Sequence, residues 1–214
     1  MKNILIIGGG GHAKVLISII QKLDQYSIIG YTDLEDKGEI LGIKYLGSDD
    51  HNFGELENKT RLAVLGLGQI KKSSIRKKIA EKYIDHGFHF PRIIAPSAIV
   101  NQDVTIADGT VVMDGVIINS GSRIGEFSIL NTGSIIEHDC EIGSFVHIAP
   151  GAVLSGSVHI GDGVLIGTGA KVINNVKIND RVIIGDTGNK QSFSLVGRTG
   201  HNYLEPRDMG EHRL

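Results

Sequence analysis

Residues 131–172 read "NTGSIIEHDCEIGSFVHIAPGAVLSGSVHIGDGVLIGTGAKV", a run crowded with glycines and small residues in which an aliphatic side chain returns on a fixed beat. The beat extends in both directions. From Val100 through Ile106, Val112, Ile118, Ile124, Leu130, Ile136, Ile142, Ile148, Leu154, Ile160, Ile166, Val172 and Ile178 to Ile184, every sixth residue is Ile, Leu or Val. Two positions ahead of each runs a second series, Ala98 to Val182, whose members are small or β-branched and never charged. In a strand, residues two apart share a face, so both series point to one side and the residue between them points to the other.

A period of six is no helical stripe, which needs 3.6 or 3.5 residues. It describes a short strand, a turn and another short strand, stacked as a solenoid, and hexapeptides stacked this way form a parallel β-helix. Three hexapeptides make one triangular coil, and successive coils lie roughly 4.8 Å apart. The repeats therefore predict four to five coils, a prism on the order of 23 Å long. Large aliphatics fill its axis and small residues fit near its corners. The single cysteine, Cys140, belongs to the inward small series, which marks it as packing rather than as a nucleophile.

The chain has 214 residues and a formal net charge of −2. That is enough for one large or two small domains, with no general polyanion-binding surface, so nucleic acid is not expected as a partner. No run of eighteen apolar residues occurs and no basic leader precedes the first apolar stretch, so neither membrane insertion nor export is expected. A lone cysteine fits a reducing compartment, and a cytoplasmic location is expected.

The first ninety residues follow another rule. "KNILIIGGGGHAKVLISIIQKL" opens with a buried strand at Ile4–Ile7, passes four glycines and continues as an amphipathic helix from about Ala13 to Leu23. "SIIGYTD" and "LAVLGLG" read as two further strands, the second followed by a basic helix in which Lys71, Lys72, Arg76, Lys77 and Lys78 read as a solvated face, with only one or two of them expected to approach a ligand. Alternating strands and helices predict a parallel sheet whose ligands bind beyond the carboxyl ends of its strands. Those ends carry Gly8 to His12, Thr32–Asp33 and Gly66 to Gln69. Gly8, Gly10 and Ala13 satisfy G-x-G-x-x-A and Asp33 follows at a dinucleotide-binding distance. A dinucleotide fold needs two mononucleotide halves, however, and the repeats leave room for one. A nucleotide-linked substrate is expected instead of NAD, with His12, at the helix start, placed to reach a phosphate or sugar hydroxyl. The joint is "FPRIIAPSAIV", giving an α/β domain over residues 1–92 and a β-helix domain with a tail over 93–214.

One hexapeptide breaks the pattern of small polar corners. "EHDCEI" puts Glu137, His138 and Asp139 together at a corner. A histidine flanked by carboxylates is held in one tautomer with raised basicity, which suits a general base. His147 and His159 each precede an inward aliphatic residue and so point outward. Nine residues, half a coil, separate His138 from His147, so the two meet only across an interface between copies. Residue 156 lies one coil beyond 138, so Gly156 should stack beside His138 and offer its amide to a bound acyl group.

With "IIGGGGHAKV" ahead of it and "EHDC" within it, the chain resembles the hexapeptide-repeat nucleotide-sugar N-acetyltransferases and sialic acid O-acetyltransferase-like proteins over about residues 2–200. That resemblance implies a left-handed β-helix, a homotrimer with active sites between subunits, and acetyl transfer from acetyl-CoA to an amino group of a nucleotide-linked sugar in surface glycan biosynthesis, commonly the 4-amino, with no metal. By similarity His138 is the base, Asp139 raises its basicity and Glu137 lies beside it. Gly10, Gly11, His12, Thr32, Asp33, Gly66 and Asn131 match substrate-binding positions, and His147, Thr168, Gly185 and Asp186, with Gly156, the acetyl-CoA site. Departures are "APSA" at Ala95–Ala98, where "HPSA" is more usual, and a tail lacking the usual "GVPA"-like turn. A sialic acid-type O-acetyltransferase is the neighbouring alternative. From other classes come a zinc-dependent γ-type carbonic anhydrase, with His138, His147 and His159 bridging subunits, and a non-catalytic nucleotide-sugar sensor.

Overall fold

The structure, a computed structural model, describes residues 1–48, 53–69 and 74–185, together with the backbone strand Leu195–Val196. Strands β1 (Lys2–Ile7), β2 (Tyr26–Thr32) and β3 (Ala63–Leu65) form a parallel sheet in the order β2-β1-β3. The central strand is covered on both faces, which explains its unbroken Ile4–Ile7 run. Ile4 and Ile6 share a core with Leu16, Ile17 and Ile20 of α1 (Gly11–Ile20), while Leu5 and Ile7 share another with Ala80 and Tyr83 of α3 (Ser74–Asp85). Helix α1 starts two residues earlier than the periodicity suggests, because the chain turns directly out of the glycine loop. A short helix, α2 (Phe53–Lys59), has no counterpart in the sequence reading.

From β4 (Ile93–Ile94) to β19 (Ile183–Ile184) the chain forms two-residue strands every six residues. Each pairs in parallel with strands eighteen residues away, as Ile129 does with Val111 and His147. Three sheets result, a prism of about five turns matching the left-handed β-helix. The register begins at Ile94, one strand earlier than the Val100 start, which accounts for the extra length. The strand Leu195–Val196 (β20) adds to the second sheet beside Lys171–Val172.

The inward aliphatics Ile118, Leu130, Ile136, Ile148, Leu154 and Ile166 are all fully enclosed, each contributing roughly 1.5–3 kcal/mol. The small polar residues among them are there for a reason. The hydroxyls of Thr110, Ser122 and Ser128 donate to the carbonyls of Gly125, Glu137 and Gly143, and each also accepts an amide from the next turn. Cys140 uses the same slot, its Sγ 3.3 Å from the Ser155 carbonyl. Burial pushes its thiol up, with help from the Glu137 and Asp139 charges, so no thiolate nucleophile forms there.

Every sixth residue from Asp103 to Arg181 adopts a positive φ, fourteen corners of which seven are glycine. The corner sets the turn, and Asp139, at φ 57°, occupies one of these left-handed positions.

The three outer faces differ in chemistry. On the first, Ile93, Val111 and Ile129 are fully buried in the core shared with α1, so the N-terminal domain covers these three rungs. The second presents Ile99, 54% exposed, with half-buried Ile117, Ile135 and Val153. The third presents Thr105, Arg123, Glu141, His159 and Lys177, all exposed. No helix among the described residues is long and apolar enough to cross a membrane.

Candidate active site

His138 and Asp139 lie on the corner between the second and third faces. His138 Nδ1 donates to Asp139 Oδ2 at 2.8 Å, since a carboxylate only accepts. This leaves Nε2 as the lone-pair nitrogen. The backbone of Asp139 is pinned by its amide, which donates to the Ser120 carbonyl. Glu137 is held from the preceding turns: Asn101 Nδ2 donates to Asn119 Oδ1, and Asn119 Nδ2 donates to Glu137 Oε2 at 2.9 Å. Gly156 stacks against the His138 ring, and a methyl group added there would sit 2.6 Å from both Cε1 and Nε2. The imidazole is exposed, so its reactive edge faces outward over a glycine floor.

His147 lies on the first face, at the rung where coverage by the N-terminal domain ends. Its Nδ1–H donates to the Gln69 carbonyl at 2.8 Å, and its Nε2 accepts from Asn131 Nδ2 at 3.0 Å. The Asn131 amide orientation is fixed in turn, because its Oδ1 accepts the Thr132 amide. Burial and the nearby Arg76 charge hold His147 below the ordinary histidine range despite the Gln69 bond, so the ring is neutral. With both ring nitrogens committed it has no free lone pair for a metal. His159 lies on the third face with Nδ1 on Glu141 Oε2. The histidines that a bridging zinc would require thus occupy a corner and two faces.

The glycine loop crosses the carboxyl ends of β1 and β2. Gly8, at φ 99°, turns the chain, and its amide donates to the Thr32 carbonyl. The Gly9 amide donates to Asp33 Oδ2 at 2.6 Å, which ties the loop to the second strand. Thr32 points inward, its hydroxyl 3.1 Å from that of Tyr83. Above Gly10 and Gly11 is open space, where an added methyl would meet nothing within 4 Å. Gly66 is different: a methyl there would lie 2.8 Å from the Gly8 carbonyl oxygen, so glycine lets the two loops touch. Helix α1 begins at this loop with no side-chain cap and no acidic residue in its first turn, an arrangement suited to an anion.

Arg76 corrects the sequence reading. Expected on a solvated face, it is 2% exposed, on the stripe shared by Ala80 and Tyr83. That spacing, positions 76, 80 and 83, was the available signal, and the charge of the side chain masked it. Lys77 and Lys78 are exposed as expected. Lys71, Lys72 and Asp186 lie outside the described residues, while Thr168 is exposed and Gly185 half-buried on the last turns of the prism. Gln69 lies at a strand end where the sequence places ligands, whereas Asn101 and Asn119 are polar residues that the sequence assigns to no site.

His12 is held down to about 3 by burial, then by the Arg76 and His147 charges. Between its unfolded value of 6.5 and about 3, the unfolded chain binds a proton that the native chain does not. Stability therefore falls as the pH is lowered across that window, by up to about 1.4 kcal/mol per pH unit for one such group. Thermal melts from pH 7 to pH 4 are expected to show a smaller decline for His12→Asn than for the wild type; equal slopes would mean that His12 is free to protonate in the native state.

Comparison with known proteins supports the fold. Residues 3–83 match the PglD N-terminal domain and residues 121–156 the bacterial transferase hexapeptide family of six repeats. The chain is 37% identical over 115 residues to a UDP-N-acetylbacillosamine N-acetyltransferase of Bacillus subtilis (strain 168), a match covering 53% of this chain and 52%, about half, of that protein. Among solved structures, a variant of perosamine N-acetyltransferase from Caulobacter crescentus, in complex with CoA and GDP-perosamine, superposes with a TM-score of 0.84 at 33% identity, covering 92% of this chain and 90% of that one. The acetyltransferase domain of PglB from Neisseria gonorrhoeae FA1090, in complex with acetyl coenzyme A, gives 0.80 at 32% identity, covering 86% and 88%.

Proposed function

Because this chain belongs to the hexapeptide-repeat nucleotide-sugar N-acetyltransferases, we propose that it moves an acetyl group from acetyl-CoA to the 4-amino group of a nucleotide-linked amino-deoxy sugar. The observation that carries the mechanism is the His138–Asp139 pair, with Nδ1 engaged and Nε2 open above Gly156. His138 Nε2 takes the proton from the sugar nitrogen as that nitrogen attacks the thioester carbonyl. The new C–N bond forms and the C–S bond breaks. His138 then returns the proton to the departing sulfur, so the protein ends unchanged. Asp139 holds the tautomer and stabilises the imidazolium between the two transfers. The Gly156 amide is the oxyanion donor. Buried Cys140 is not required, since attack is direct and no acyl-enzyme forms.

The same reading assigns the nucleotide to Gly10, Gly11, His12, Thr32, Asp33 and Gly66, and the sugar side to Asn131. His147, Gly156, Thr168, Gly185 and Asp186 take acetyl-CoA. His138 and His147 lie on different sides of one prism, so a complete site joins His138 of one copy to His147 of the next. The apolar second face is the surface that brings copies together, as a homotrimer.

The test is direct. The full chain, incubated with acetyl-CoA and uridine-, thymidine- and guanosine-linked 4-amino sugars, is expected to release free thiol with at least one acceptor. No release with any of them, under conditions where the protein is folded, would sink this reading.

A further inference from the structure

We propose that Arg76, Gln69 and His12 form a buried oxyanion subsite beside the Gly8–His12 loop, and that its ligand is a phosphate of the nucleotide sugar. The inference rests on the nucleotide-sugar reading and adds to His12 the side chains of Arg76 and Gln69, which that reading gave no role.

The observation is a concentration of unmet hydrogen-bonding capacity. Seven buried side-chain nitrogen or oxygen atoms among the described residues have no partner, and six of them belong to these three residues. They are His12 Nε2, Gln69 Nε2 and Oε1, and Arg76 Nε, Nη1 and Nη2. Buried polar atoms in native proteins are almost always satisfied, so a cluster of this kind marks a place where a ligand completes the structure. Its composition says which kind. Arg76 and Gln69 together bring seven N–H donors, and the acceptors left over are one amide oxygen and one ring nitrogen. A group rich in acceptors and carrying negative charge fits that excess.

No carboxylate among the described residues answers Arg76: burial alone brings its guanidinium down to about 10. Gln69 is 3% exposed and Arg76 2%, both charged or polar side chains at a depth where an unpaired group is not tolerated without compensation.

The position says where the anion comes from. His12 is in the first turn of α1, whose amino end has no cap and no acid, and open space lies above Gly10 and Gly11. Gln69 ends the loop that follows β3, and this loop touches Gly8 through Gly66 and His12 through Gly68. A diphosphate laid across the carboxyl ends of β1 and β3 would meet the helix end, and the Arg76 charge is near enough to His12, in the first turn of that helix, to act on its ring. Arginine there matches phosphate oxygens two at a time, which a point charge such as lysine does not.

The experiment is titration calorimetry on the full chain with UDP, GDP, TDP, inorganic phosphate and acetyl-CoA, paired with thermal melts. Wild type is expected to bind at least one nucleoside diphosphate. Arg76→Met is expected to weaken that binding about 10-fold or more, to leave acetyl-CoA affinity within about twofold, and to melt without ligand no lower than wild type, since it removes an unanswered buried charge. Gln69→Met, which keeps the backbone carbonyl used by His147, is expected to weaken the diphosphate about threefold or more, and serves if Arg76→Met does not fold. Unchanged diphosphate affinity in the folded variants would overturn the subsite and leave the substrate reading standing. Wild type that binds none of the three diphosphates would overturn both. Binding of inorganic phosphate alone, lost in Arg76→Met, would make this a free-anion site and overturn its assignment to the nucleotide. A lower melting temperature with equal loss of acetyl-CoA binding would make Arg76 structural.

Discussion

Replacing His138 with asparagine is expected to lower kcat for acetyl transfer by about 10²-fold or more while changing KM for the nucleotide sugar little, because in the proposed mechanism the side chain lost acts as the base and not as a binding group. The variant should fold normally, since the His138 side chain is 63% exposed and packs only over Gly156 and against Asp139. A companion substitution separates the base from its orienting acid. Asp139 sits at a left-handed corner, a conformation that seven of the fourteen equivalent corners meet with glycine. Asp139→Gly therefore suits the backbone, relieving a strain of about 1 kcal/mol. It removes only the carboxylate on His138 Nδ1, and a loss of about 10-fold in kcat is expected, by analogy with the loss of other partners that orient a histidine. Steady-state kinetics with saturating acetyl-CoA reads both. If His138→Asn retains wild-type kcat, the proton leaves through another group and the corner is merely charged surface.

That corner was legible because it departs from a pattern. A strict period of six makes each deviation visible, and three consecutive ionisable residues, as at Glu137–Asp139, occur at none of the other thirteen corners. The period also gave the stacking of Gly156 on His138, since a full coil is eighteen residues and the strands pair at that spacing. Elsewhere the physics leaves no such trace. Gln69 meets His147 through a main-chain carbonyl, which carries no side-chain identity, across a contact 78 residues long. Arg76 looks like surface charge because most arginines are; only its place on the buried stripe with Ala80 and Tyr83 marks it, and a charged residue at a stripe position reads first as a boundary. Helix α2 buries a single residue, Leu56, too little to set up a periodic signal. The asparagine ladder from Asn101 through Asn119 to Glu137 was visible as spacing but not as function, since outward asparagines at turns are ordinary.

The second large effect concerns assembly. One face of the prism is covered over three rungs by its own N-terminal domain and another is polar and mostly charged; the remaining face carries Ile99, Ile117, Ile135 and Val153 in one column, partly open to solvent in the single chain. A contiguous aliphatic strip of this kind is a contact surface. It adjoins the corner that carries His138, where the proposed site needs residues from a second copy. Ile117→Glu combined with Ile135→Glu places two carboxylates, 18 residues apart and directly paired across neighbouring strands, in the middle of that strip. Both side chains point outward, so the inward core of the prism is untouched and each chain should keep its fold, with far-ultraviolet circular dichroism unchanged. On the proposed assembly, sedimentation is expected to show monomers for the variant and trimers for the wild type, and turnover is expected to fall about 10³-fold or more, because the proposed base and acetyl-CoA site would no longer be brought together. The two readouts must move together. A monomer with wild-type turnover would mean that one chain holds the whole site, and a trimer that persists despite both glutamates would place the subunit boundary on another face.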